Sequence, residues 1–473
     1  MVGKIIKIEA ALMVLPLITA LIYRESSAKA FLISIIIALC IGFGLSAAFK
    51  PKSQVIYARE GFIIVALAWA ALSAVGALPY VISGEIPSYI DAFFETVSGF
   101  TTTGSSIVTD VTKLSHGILF WRSFAHWIGG MGVLVFVMAV VPAANDRSIH
   151  IMRAEMPGPI IGKLVPRAGD TAKILYLIYV GITVIEIILL CLGGMPLFDS
   201  LVNTFGTVGT GGLAIKPDSY ASYSPYLQWV TTVFMLICGI NFNLYYLILV
   251  KRFKSAIRSE ELWCYLIIVL IVTAVISVDI LPLYNGIGDA VRHSAFQVSS
   301  IITTTGYSTA DFNYWPDISK GIMLLLIFIG GCAGSTAGGF KQSRAILLYK
   351  MIKREMRHVL HPHSVGIVKF EGKRVDDETL NGVGIYLALY VLCFCVIFLI
   401  LCVEPFGFET NFTAAATCFN NVGPGFAMVG PMGSFAPFSP LSKIVLSVAM
   451  LLGRLEIYPI LIAASFSTWS RKA

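Results

Sequence analysis

The chain alternates between long apolar runs and short polar breaks, and the runs come in two lengths. The longer ones, at 5–23, 29–49, 61–82, 118–142, 172–194, 225–250, 262–282, 318–349, 380–403 and 438–468, are each about 20 residues or more, enough for a helix to cross a bilayer. The shorter ones, at 87–100, 197–206, 287–302 and 408–420, are too short to cross and are expected to be re-entrant helices. Each short run leads directly into a stretch rich in hydroxyl residues and glycine: "TTTGSS" (101–106), "TVGTGG" (207–212), "TTTGYS" (303–308) and "NNVGPG" (420–425). The first long run lacks a small-residue cleavage site and is followed by a second spanning run, so it is expected to be a retained helix.

Aligning the glycines at 104, 211, 306 and 423 gives intervals near 100 residues, each with the order span, short helix, Thr/Gly motif, span. Four such units predict fourfold pseudo-symmetry within one chain. The expected fold is an all-α integral membrane protein. Four pseudo-symmetric repeats (53–146, 147–258, 259–379 with a cytoplasmic segment, and 380–473) surround one pore. A transmembrane helix pair at 1–52 precedes them.

Composition agrees with the membrane reading. Hydrophobic residues make up 57% of the chain and charged residues 13%, about half the share usual in soluble proteins. With the N-terminus inside, the basic stretches "KPKSQVIYARE", "KRFKSAIRSEE", "KMIKREMRH" and "WSRKA" all fall on the inner side, as the positive-inside rule requires. The net charge of +7 then belongs to inner loops and calls for no nucleic-acid partner. All four Thr/Gly motifs fall towards the outer side.

The nine cysteines have no metal-ligand spacing and read as small buried apolar residues. No paired histidines or carboxylates face each other across spans, which argues against a haem, quinone or di-metal enzyme. The repeats run in the same sense, which argues against a transporter built from inverted repeats.

Non-helical backbone survives at membrane depth only where it lines water or is buried in protein. Four re-entrant loops around an axis would turn backbone carbonyls inward, and a carbonyl ring can replace a cation's hydration shell. Thr102, Thr103 and Gly104 are expected to form one quarter of such a filter. Gly209, Thr210 and Gly211 form the second quarter, Thr304, Thr305 and Gly306 the third, and Asn421, Val422 and Gly423 the fourth. Asp110, Asp218 and Asp311 follow three of the motifs and would concentrate cations at the outer mouth.

On "GFTTTGSS", "TVGTGG", "TTTGYS" and "NNVGPG", with "HWIGGMG" (126–132), "GGCAGSTAGGFK" (330–341) and "LLGRLEIYP" (451–459), the chain resembles the Trk/Ktr/HKT superfamily of potassium transporters. The extra N-terminal helix pair favours its TrkH-type membrane subunits. The resemblance covers essentially the whole chain. It implies potassium-selective uptake across the cytoplasmic membrane, with both termini cytoplasmic and K+ as the transported ion. It implies that Arg454, costly within a span, is an electrostatic barrier below the filter. It implies that Gly330, Gly331, Gly334, Ser335, Thr336, Gly338 and Gly339 form an intramembrane gating loop. It also implies a homodimer in membrane lipid and a cytoplasmic TrkA-type nucleotide-binding regulatory subunit meeting residues 350–382. A sodium-coupled or less selective relative of the Ktr type is the second reading. Gly104, where some superfamily members carry serine, favours potassium.

Overall fold

The computed structural model describes residues 1–49, 58–132, 168–363, 366–465 and 468. The expected inner loops at 50–60 and 143–171, the second half of the 118–142 span and the basic C-terminus lie largely or wholly outside them. The described chain is helical apart from one two-residue hairpin, in which Lys369 pairs with Arg374 and Phe370 with Lys373.

Six described helices are long and apolar enough to cross a membrane: Val2–Ile22, Ser27–Ala48, Arg59–Ser83, Ala172–Leu192, Glu260–Asp279 and Asp377–Leu401. Their outer faces carry Leu177, Leu192, Leu270 and Val278, each more than 70% exposed. Such surface is stable against lipid or another apolar face, not against water.

Several expected spans are interrupted. The 225–250 run is a pair of helices, Pro225–Cys238 and Phe242–Leu249, bent by 90°. The 318–349 run stops at Ile329 and resumes as Gln342–Leu360, and the 438–468 run breaks between Arg454 and Tyr458. The last two breaks carry backbone a helix cannot hold: Gly330 at φ +71°, and Glu456 and Ile457 at φ +57° and +66°.

The four short helices are Tyr89–Phe100, Leu197–Gly209, Ile287–Ile302 and Phe408–Asn420. Their C-terminal halves are almost wholly buried in the protein. Local chemistry sets many helix starts. Ser88, Ser224, Ser259, Asp376 and Ser439 each accept a hydrogen bond from a first-turn backbone N–H. The main apolar core lies between the N-terminal helix pair and the first and fourth short helices, around Phe31, Trp69, Phe94, Trp121 and Phe419. The Trp121 indole donates to Gly76 O at 3.0 Å, which satisfies its polar edge inside that core.

Candidate functional site

Each short helix ends in the same device. One residue past the helix, or the next, takes a left-handed conformation: Thr102 at φ +55°, Thr210 at +56°, Thr304 at +55° and Asn421 at +55°. The following N–H then reaches five residues back, from Thr103 to Ser98 O, Gly211 to Gly206 O, Thr305 to Ser300 O and Val422 to Thr417 O, at 2.8–2.9 Å. This reversal satisfies carbonyls that the helix end leaves open. A glycine at positive φ comes next: Gly104, Gly212, Gly306 and Gly423.

These four glycines close a ring. A Cβ on Gly104 would lie 2.1 Å from Gly211 O, and one on Gly212 would lie 1.9 Å from Thr305 O. One on Gly306 would lie 2.5 Å from Val422 O, and one on Gly423 would lie 2.7 Å from Thr103 O. Each segment therefore backs onto a carbonyl of the next, and the fourth returns to the first. No side chain fits at any of these positions.

The second segment sits one residue later than the sequence spacing suggests. Gly212, not Gly211, is the counterpart of Gly104, and Gly209 is the last residue of its helix. Gly209 packs against the helix carrying His126, with its Cβ direction 2.5 Å from His126 O. Gly211 faces the His126 ring, whose Nδ1 lies 2.8 Å from Gly99 O at the end of the first short helix.

On one side of the ring lies a cavity of about 110 Å³ whose walls include Gly104, Gly212, Gly306 and Gly423. Asp110, Asp218 and Asp311 are absent from its lining, which instead includes Arg122 and Lys216. Asp110 and Asp311 are occupied as local caps, accepting from the backbone N–H of Thr112 and Asn313. The Thr112 hydroxyl and N–H hold the Asp110 carboxyl below its ordinary range.

Arg122 reaches this cavity as half of a buried pair. Its Nη2 lies 2.7 Å from Glu95 Oε1, with the side chains 2% and 0% exposed. Glu95 also accepts from Ser106 Oγ and Ile107 N, just beyond Gly104, so the pair fastens the first segment to its own helix. The third segment has an uncharged equivalent, in which Gln297 Nε2 donates to Ser308 Oγ and Ala310 O. Replacing Arg122 by Met should cost about 3–5 kcal/mol, because Glu95 would stay buried and unpaired. The double change Arg122→Met with Glu95→Gln should restore much of it. Thermal unfolding in detergent reads both, and equal losses would remove the pairing as the cause.

Across the ring from that cavity, residues 330–341 form a closed loop. Its neck is pinned by Phe340 N to Phe328 O and Lys341 N to Ile329 O. Gly330, Gly334 and Gly339 take positive φ, as does Lys341, whose ammonium turns back onto Ala337 O. The loop touches the ring directly, since Gly338 N donates to the hydroxyl of the left-handed Thr304 at 2.6 Å. Gly338 also sits against Asn420 O. Gly331 packs on Ala337, and Ser335 Oγ closes onto Cys332 O.

Arg454 gathers three elements beneath the ring. Its Nη1 donates to Thr336 O at 2.9 Å, and its Nη2 donates to Gly129 O and Gly130 O at 2.5 and 2.6 Å. The last two carbonyls end the helix His116–Gly130, where the helix dipole favours a cation. Glu456, the acid nearest in sequence, pairs instead with Arg344.

Sequence reasoning passed over two residues that the fold uses here, Glu95 and Arg122. The available signal was a charged residue inside or beside an apolar run, which is costly unless it is paired.

A family model described as "Cation transport protein", TrkH, matches residues 27–472. The chain is 36% identical to the Trk system potassium uptake protein TrkG of Escherichia coli strain K12, over 99% of this chain and 97% of that one. It is 35% identical to the Trk system potassium uptake protein TrkH of Salmonella typhimurium, over 99% and 98%. The solved structure of the potassium transporter TrkH from Vibrio parahaemolyticus superimposes with a TM-score of 0.89 at 32% identity, over 99% of this chain and 98% of that one.

Proposed function

This chain belongs to the TrkH family of cation transport proteins, and on that premise we propose that it takes up potassium through a single channel-like pore whose selectivity filter is the four-segment ring. The observation that carries this reading is the closure of the ring, glycine against carbonyl, at the C-terminal ends of four short helices. Those ends are the negative ends of the helix dipoles, so they favour a cation on the axis where they meet. Carbonyls of Thr102, Thr103 and Gly104, and of their counterparts in the other three segments, replace the water that the ion sheds. In the second segment the ring register selects Thr210, Gly211 and Gly212. The four units are pseudo-symmetric repeats with boundaries at 53–146, 147–258, 259–379 and 380–473.

The pore is closed below the filter by two parts. The 330–341 loop packs under Thr304, and Arg454 places a positive charge beside the path. Opening moves the loop aside and releases Thr336 O from Arg454. The relatives' names supply the ion, since both are described as potassium uptake proteins. The cytoplasmic membrane, with both termini inside, is the location that follows. A homodimer, and a cytoplasmic nucleotide-binding subunit acting on the 350–382 surface, complete the assembly.

Rubidium-tracer uptake by the purified protein in liposomes tests the reading. Potassium should compete with rubidium at least tenfold better than sodium. Equal competition would reduce the protein to a general monovalent-cation pathway.

A further inference from the structure

Glu261 stands in the first turn of the helix Glu260–Asp279 and is only 5% exposed. One oxygen, Oε1, accepts from Ala333 N at 2.7 Å and from Ser343 N at 3.0 Å. Ala333 lies inside the loop beneath the ring, and Ser343 opens the helix that follows it. A single carboxylate oxygen therefore ties both limbs of the loop to a neighbouring span. Leaving either buried N–H without that acceptor would cost the loop a hydrogen bond it has no water to replace.

Glu261 is itself held from the hairpin between the helices Gln342–Leu360 and Asp377–Leu401. Glu371 Oε1 accepts from Ser259 Oγ at 2.8 Å and from Glu261 N at 3.2 Å. Glu371 sits at the hairpin tip at φ +51°, followed by Gly372 at +75°, a two-residue turn that holds the strands in fixed register. Lys350 fastens the same hairpin, donating to Lys369 O and Glu260 Oε2 at 2.7 and 2.5 Å. The hairpin is exposed on its polar side, while Phe370 and Val375 anchor it in a small apolar cluster.

We propose that Glu371 and Glu261 are positioning residues that form a relay from the exposed hairpin to the loop. With the hairpin seated, Glu371 holds the start of the Glu260–Asp279 helix and Glu261 holds the loop under Thr304. With the hairpin displaced, Glu261 loses its backbone anchor and the loop is released. The hairpin is thus the handle through which a force on the cytoplasmic surface reaches the ring. The inference rests on the reading of the loop as the gate, and its test separates the two.

The native thiol of Cys332, next to Ala333 and 1% exposed, reports the loop's position. Full-length protein in liposomes is treated with N-ethylmaleimide, and modification of Cys332 is followed by peptide mass spectrometry alongside rubidium uptake. Glu371→Ala, at an exposed site, leaves folding intact and removes the acceptor for Ser259 Oγ and Glu261 N. It should speed Cys332 modification about tenfold, as should Glu261→Ala. Uptake should rise with it. Unchanged Cys332 modification in Glu371→Ala would overturn the relay. Faster modification without faster uptake would uphold the relay and instead overturn the loop's role as the gate.

Discussion

Replacing Gly104 by Ser should abolish most of the preference for potassium over sodium. The Cβ of any residue at 104 would lie 2.1 Å from Gly211 O, and the backbone there stands at φ +80°. A contact that short is relieved only if the first and second segments move apart, and both are backbone. A carbonyl ring that widens on one side loses oxygens at the distance potassium needs, and a loss of about 1.4 kcal/mol in relative binding is already tenfold in selectivity. Competition of sodium and potassium against rubidium uptake measures it, and the potassium preference should fall by about tenfold or more.

Left-handed strain alone is not the cause, and Gly84 separates the two. Gly84 has nearly the same φ, +77°, but nothing within 4 Å of its Cβ direction. Gly84→Ser should leave selectivity unchanged. Equal effects at 84 and 104 would detach selectivity from ring closure. Gly212→Ser should behave like Gly104→Ser, because its Cβ would lie 1.9 Å from Thr305 O.

The second large effect is expected at Arg454, where Arg454→Ala should raise uptake. Arg454 ties Thr336 O of the loop to Gly129 O and Gly130 O of a helix end. A fixed positive charge about 7 Å from a passing cation, at an effective dielectric of about 20, opposes it by roughly 2 kcal/mol. Removing the charge should therefore raise flux about thirtyfold. It also frees the loop from one of its ties, which acts in the same direction. Arg454→Lys keeps the charge but cannot span three carbonyls with a planar fork. It should give an intermediate flux. Uptake that is unchanged in Arg454→Ala would sink the barrier.

The short helices and their Thr/Gly motifs were legible because periodicity and length are local properties. An apolar run too short to cross a bilayer and ending in glycine has few places to go. The register of the second segment was not legible. "TVGTGG" holds glycines at 209, 211 and 212, so the motif aligns equally well in two ways. Only the backbone decides, through Thr210 at +56° and Gly212 at +69°. The local role of two acids was not legible either: Asp110 and Asp311 each cap their own short turn.

The sequence by itself determined that this is a multi-span helical membrane protein, with four short helices each ending in a glycine-bearing turn, because hydrophobic length and helix-breaking chemistry act within a few residues. Tertiary structure alone decided which carbonyl each glycine faces, that Glu95 belongs to Arg122 and Glu456 to Arg344, and that one oxygen of Glu261 holds both limbs of the loop. These pairings join residues up to several hundred positions apart. Burial leaves every polar group in need of a partner, but it is the packing of the helices that brings one within reach.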